Sequence, residues 1–157
     1  MLIRGLIEED FVNYKKASMF IVFPTCTFKC EKDCGIKCCQ NSEVAKSMAI
    51  EIDTKILVDR YINNPITHAI VCGGLEPIDS FDDLLELVKL VREKTDDDIV
   101  IYTGYNKNEI LKHIRILREF PNIIIKYGRF KPNDAHKFDE ILGVMLASAN
   151  QYAEKIS

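Results

Sequence analysis

No stretch of the chain approaches the roughly 18–20 consecutive apolar residues of a membrane-spanning helix, so a membrane protein is not expected. Positive charge is not in excess either. The 21 Lys+Arg against 24 Asp+Glu give a formal net charge of −3, and the pI is about 5.7. Coating a phosphate backbone needs a basic face, so no nucleic-acid partner is expected. Histidine is scarce: His68, His113 and His136 share no spacing, and none is a candidate ligand. There is no P-loop and no Ser/His/Asp constellation to suggest a hydrolase. Acidic residues between Met1 and Asp10 stand where a secretory leader would carry its apolar core, so a cytoplasmic protein is expected. Linkers, repeats and low-complexity tracts are also lacking, which reads as one domain over residues 1–157.

What is present is a normal globular balance, 47% apolar and 29% charged over 157 residues, enough for a core without covalent staples. Four short apolar runs punctuate it: Met19–Phe23, Ala69–Cys72, Ile99–Tyr102 and Ile123–Ile125. Each is continuous rather than alternating, as in strands covered on both faces of a parallel sheet. Between them lie three segments of helical period. Thr54–Asn64 follows the cap candidate Asp53 and places Leu57, Val58, Tyr61 and Ile62 on one side. Ser80–Lys94 opens with Ser80 and Asp83 at capping-box spacing. Asn106–Phe120 repeats that opening with Asn106 and Glu109. Leu2–Ile7 is expected as an edge strand and Val144–Ala147 as a last strand. The alternation predicts an α/β fold. A closed eight-unit barrel needs about 200 residues or more, so the expectation is a partial, open (βα) barrel of about four to five mostly parallel strands flanked by helices.

Cysteine is the unusual component. Of six, five fall between residues 26 and 39: Cys26, Cys30, Cys34, Cys38 and Cys39. A disulfide framework spreads its cysteines to staple distant loops, whereas crowding in a reducing compartment points to a soft metal or an iron–sulfur cluster. Cys72, in an apolar run, reads as core. Every other suggestive loop also follows a strand: Gly73–Pro77 (GGLEP), Thr103–Tyr105 (TGY) and Lys126–Phe130 (KYGRF). In α/β folds ligands bind at the carboxyl ends of the strands, so four motifs should converge on one face.

The segment Cys26-Thr27-Phe28-Lys29-Cys30, with Cys39-Gln40-Asn41 after it, resembles the cluster loop of radical S-adenosylmethionine (SAM) enzymes, C-x3-C-x2-C. In the small activases of anaerobic ribonucleotide reductase that loop typically ends in Cys-His-Asn. This chain departs from the pattern, because no cysteine lies three residues after Cys30 and residues 31–38 read as an insertion in the second spacer. The resemblance assigns Cys26, Cys30 and Cys39 to the metal, with Cys34 or Cys38 as alternatives for the third position. Gly73-Gly74-Leu75-Glu76-Pro77 resembles the family's GGEP motif with Leu75 added. That implies contact of Gly73, Gly74 and Glu76 with the methionine end of SAM. Tyr102-Thr103-Gly104-Tyr105 is similar to the activases' YTGY, implying a cofactor role for Thr103 and Gly104. Lys126–Phe130 resembles their D-G-R-F stretch, with Lys126 and Tyr127 as departures, and implies a similar role for Lys126 and Arg129. Ser148, Asn150 and Gln151 are similar to an S-x-N-Q element that closes the site.

The resemblance, which runs from Phe11-Val12-Asn13 to Asn150-Gln151, implies a [4Fe-4S] cluster with three thiolate ligands and one iron left open to SAM. It further implies an activase that installs a glycyl radical on a large partner subunit, with anaerobic ribonucleotide reductase as the specific expectation. The electron would come from a flavodoxin or ferredoxin. Two other readings stand beside it: a short radical SAM enzyme acting on a small molecule, similar to 7-carboxy-7-deazaguanine synthase, and a non-catalytic zinc or iron–sulfur adaptor.

Overall fold

A computed structural model describes residues 1–157. Its centre is a six-stranded sheet formed by β2 (Gly5–Asp10), β3 (Ser18–Val22), β5 (Ala69–Gly73), β6 (Asp98–Tyr102), β7 (Ile123–Tyr127) and β10 (Tyr152–Lys155). The strand order is β10-β7-β6-β5-β3-β2. The four inner strands run parallel, while β2 and β10 close the edges antiparallel. The sheet is open, with no closed barrel, so the mixed α/β expectation holds. The two antiparallel edges extend the expected four to five strands to six.

The apolar runs are continuous because both faces are covered. Alternate residues of each strand enter one of two cores. Met19, Ile21, Ile70, Cys72, Ile99, Ile101, Ile123 and Ile125 face the helices α3 (Thr54–Asn63), α4 (Phe81–Arg92) and α5 (Leu111–Leu117). The helices contribute Leu57, Val58, Tyr61, Leu84, Leu87, Val88, Val91, Ile114 and Leu117 to that layer. On the opposite face Ala69, Val71, Val100 and Ile124 meet Tyr14, Leu142 and Leu146 from the chain segments that cover the sheet. Cys72 is fully buried in the helix-side core, as its position in the apolar run implied.

Several boundaries differ from the sequence reading, each for a local reason. The expected Leu2–Ile7 strand breaks at Arg4, whose Nε donates to the Pro24 carbonyl at 2.7 Å. Leu2–Ile3 (β1) pairs instead with Ile50–Glu51 (β4), and the sheet edge begins at Gly5. Asp53 caps α3 as expected, its Oδ1 accepting from the Lys55 N–H at 2.8 Å. Ile62, however, faces outward and is 42% exposed. Ser80 does not cap α4: a 3₁₀ turn over Pro77–Ser80 leads into that helix, and the Ser80 hydroxyl pairs with Thr25 at 2.9 Å. Glu109 does accept from the Asn106 N–H at 2.8 Å, but only a 3₁₀ turn follows. Ile110, with φ −123°, separates that turn from α5. Val144–Leu146 (β9) is not a strand of the main sheet. It pairs with Lys137–Asp139 (β8) in a hairpin over the second core, and β10 takes the edge position. The buried Asp139 ties the two together, Oδ1 accepting from Leu142 and Oδ2 from Ala153.

No helix is long and apolar enough to cross a membrane.

Candidate metal and cofactor site

The parallel strands β3, β5, β6 and β7 end at one rim, and the four motif-bearing loops leave from it. The loops are stitched to each other through the backbone. The Glu76 N–H donates to the Thr25 carbonyl at 2.8 Å, Thr103 N–H to the Lys126 carbonyl at 2.9 Å, and Gly128 N–H to the Tyr105 carbonyl at 3.1 Å. Asp79 adds a polar clasp, accepting from the Thr27 N–H at 2.8 Å and from the Tyr105 hydroxyl at 2.6 Å. A cavity of about 560 Å³ lies inside this rim. Pocket-forming loops on a rigid sheet are what the fold offers for binding a small cofactor.

Glycine is required where β5 turns into the cavity. Gly74 has φ +75°, and a Cβ there would lie 2.5 Å from Val22 Cγ1. Gly73 is nearly as confined: its Cβ would meet the Phe20 ring at 3.2 Å and Tyr102 Cβ at 3.3 Å. The added Leu75 is buried in the cavity wall, and Glu76 turns inward beside it. Glu76 Oε2 accepts from the Gly104 N–H at 2.8 Å and Oε1 from the Ile78 N–H at 3.1 Å. Burial nevertheless pushes its carboxyl up to about 7, against the opposing pull of those N–H bonds and of Thr103. Lys126, also buried in the wall, donates from Nζ to the Gly128 carbonyl at 3.1 Å. Burial brings its ammonium down to about 8, while the Glu76 charge opposes that shift.

The cysteine segment folds as a short helix, α1 (Lys29–Cys34), followed by a returning loop and α2 (Ser42–Lys46). Phe28, at φ 52°, sets the entry to α1, and Gly35, at φ 73°, ends it with its N–H on the Glu31 carbonyl at 2.9 Å. Glu31 then reaches across the insertion, its Oε1 accepting from the Cys39 N–H at 3.1 Å. The result is a sorting of the five thiols. Cys26, Cys30 and Cys39 line the cavity, together with Gln40 and Asn41. Cys34 and Cys38 do not; their sulfurs face each other at 3.0 Å.

These residues fit an iron–sulfur cluster. Three thiols of one short segment converge on one cavity, and one of them already receives a backbone N–H group. Phe28 N–H donates to Cys26 Sγ at 3.3 Å, and Phe130 N–H favours the Cys30 thiolate. Such N–H···S bonds are among the features that tune a bound cluster. Burial outweighs them in the free thiols, pushing Cys26 up to about 12 and raising Cys30 as well. A bound metal reverses that balance because it requires the thiolate. No three Cys, His, Asp or Glu side chains sit close enough to hold a single metal ion.

Of the other residues singled out, Gly74, Glu76, Thr103, Gly104 and Lys126 line the cavity with the three thiols, and Gly73 shapes its floor. Arg129 does not line it. Its guanidinium grips Glu109 with two parallel bonds of 2.7 Å, the bidentate pairing its type favours. Its Nε lies 2.7 Å from Asp33 Oδ2, an ion pair lacking hydrogen-bond geometry. Lys29 Nζ joins the same Glu109 at 3.2 Å, so this network fastens α1 to the loop after β7. Gln151 lines the cavity and donates to the Gly128 carbonyl at 3.2 Å, while Asn150 Nδ2 holds the Arg129 carbonyl at 3.0 Å. Tyr102, the first residue of the YTGY stretch, also lines the cavity, and its hydroxyl donates to the Asn13 carbonyl at 2.6 Å. Sequence reasoning missed Ile7 and Met145, both in the cavity lining and both exposed, because scattered apolar residues carry no motif; the exposed Val12 of the Phe11-Val12-Asn13 stretch lines it beside them.

No curated protein and no solved structure matches the chain. A family model does: that of the 4Fe-4S single cluster domain, over residues 15–152. The matched span runs from just before β3 to the first residue of β10, and so contains the four parallel strands and all three cavity thiols. The chain therefore belongs to the 4Fe-4S single cluster domain family.

Proposed function

We propose that this protein is a radical SAM activase, which cleaves SAM reductively and passes the radical to a glycine of a separate, larger enzyme. One observation carries the reading. Three thiols, Cys26, Cys30 and Cys39, share a cavity with the Gly73–Glu76, Thr103–Gly104 and Lys126 loops. A carrier or adaptor needs the thiols but has no use for the rest of that cavity. When bound, the cluster supplies the electron that splits a carbon–sulfur bond of SAM; its chemistry is the cofactor's own.

The chain's part is positioning. Cys26, Cys30 and Cys39 would hold the cluster as thiolates, three protein ligands that would leave one iron free for SAM. The glycine backbone at 73 and 74 lets a ligand approach closely where a side chain would collide with Val22, Phe20 or Tyr102. Glu76 offers an acceptor to the methionine amino group, and Lys126 a donor to a carboxylate or ribose oxygen. The mixed sheet ends at β2 rather than closing, and the exposed Ile7, Val12 and Met145 at the mouth suit a peptide loop better than an enclosed small molecule. Loaded with cluster and SAM, the cavity would supply the radical chemistry that removes a hydrogen atom from the glycine Cα, with 5′-deoxyadenosine as the by-product and the radical stored on the partner. A large glycyl-radical subunit of the anaerobic ribonucleotide reductase type is the partner we favour, with a flavodoxin or ferredoxin as donor. Anaerobic incubation of loaded protein, reductant, SAM and that partner is expected to yield a glycyl doublet in the EPR spectrum. Cleavage of SAM without the doublet in any such partner would redirect the reading to a small-molecule substrate.

A further inference from the structure

The two thiols outside the cavity form a site of their own. Cys34 closes α1 and Cys38 stands immediately before Cys39. Their sulfurs are 3.0 Å apart, and the Cys34 thiol also reaches two carbonyls as a donor, Glu31 at 3.7 Å and Ile36 at 3.4 Å. Both residues are partly exposed, so a small reagent can reach them. A disulfide bond of about 2.05 Å requires the sulfurs to close by about 1 Å, which side-chain rotation in a short surface loop can supply.

From this juxtaposition we propose that Cys34 and Cys38 form a reversible dithiol–disulfide pair that staples the inserted spacer and holds Cys39 at the cluster. The inference rests on Cys26, Cys30 and Cys39 being the cluster ligands. The co-reactant is a low-molecular-weight disulfide such as oxidised glutathione. One protein thiolate attacks it, giving a mixed disulfide and releasing one glutathione thiol. The second protein thiolate then attacks the mixed disulfide, forming the Cys34–Cys38 bond and releasing the second. The two cysteines lose two electrons and two protons, and one glutathione disulfide becomes two thiols.

The consequence lies in chain length. Eight residues separate Cys30 from Cys39, and α1 buries none of its own residues. The return of Cys39 therefore depends on the Glu31 hydrogen bond and the Arg129–Asp33 ion pair. A Cys34–Cys38 bond replaces part of that long tether by a covalent short circuit and reduces the freedom of the open loop.

The test uses anaerobically loaded protein equilibrated in glutathione buffers of graded poise, quenched with iodoacetamide and digested with trypsin. Lys32, Lys37 and Lys46 place Cys34 in peptide 33–37 and Cys38 with Cys39 in peptide 38–46. The expected result is that Cys34 and Cys38 lose alkylation together. The two peptides are then joined and two hydrogens lighter, with iron and sulfide retained. Oxidation is also expected to slow iron release to a chelator severalfold, an effect absent in Cys34→Ser. Independent alkylation of both thiols at every poise, or accumulation of separate glutathione adducts, would overturn the proposal while leaving the ligand assignment intact. Alkylation of Cys39 with protection of Cys34 in the loaded protein would overturn the ligand assignment, and the pairing with it.

Discussion

The two halves of the candidate site are held in place by different forces. The strand-end loops grow from a sheet whose inner strands are almost wholly buried, and from glycines that admit no side chain. The cysteine segment has neither support: α1 and α2 contain no buried residue, and their anchors are polar. One half is preorganised by packing. The other is held by polar contacts alone, so a bound cluster is expected to add to its order, since metal binding and local folding are coupled. Stability and metal occupancy should therefore respond to different substitutions.

The largest effect on stability is expected from Gly74→Ala. The new Cβ meets Val22 in a left-handed backbone, so the cost is about 2–4 kcal/mol. Chemical denaturation would read it, and a loss under 1 kcal/mol would mean the strand end is softer than its packing implies. Next comes cluster removal. A chelator is expected to leave the denaturation midpoint of the sheet nearly unchanged while raising tryptic cleavage at Lys32, Lys37 and Lys46 about tenfold, equivalent to ~1.4 kcal/mol of local opening. Equal protection of those bonds with and without iron would erase the contrast between the halves.

A smaller effect is expected at the ion network that ties the two halves together. Hydrogen bonds from Arg129, foremost, bring the Glu109 carboxyl down to about 2. Its folded-state value lies below the ordinary one near 4.5, so its stabilisation is complete above that value and fades as pH falls toward 2. Glu109→Gln should flatten that part of the acid denaturation curve. Because the pair is partly solvated, the cost at neutral pH is only about 0.5–1 kcal/mol. Its iron content should fall more visibly than its midpoint. An unchanged acid limb would show that Arg129 anchors α1 through Asp33 without help from Glu109.

Much of this was legible in the sequence. The four inner strands follow from apolar runs, and the helices from their period and from Asp53. What failed to show depended on residues far apart in the chain. Arg129 was legible only as a motif residue, because its partners come from distant elements, Asp33 from α1 and Glu109 from the 3₁₀ turn after β6. The edge strand Tyr152–Lys155 escaped notice because only Ala153 within it is buried. Val144–Leu146 looked like a sheet strand because this strand of the covering hairpin is a continuous apolar run like those of the sheet. The spacing of the cysteines alone left three candidates for the third thiol; the fold of residues 29–39, with Glu31 bonded to the Cys39 N–H, brings Cys39 to the cavity.

The most direct test of the central claim is 5′-deoxyadenosine production from SAM by the reduced, loaded protein, run beside single Cys→Ala changes at positions 26, 30, 34, 38 and 39. The account predicts product from the wild type, none from the variants at 26, 30 and 39, and product from those at 34 and 38. Absence of product from protein carrying a full cluster would contradict it.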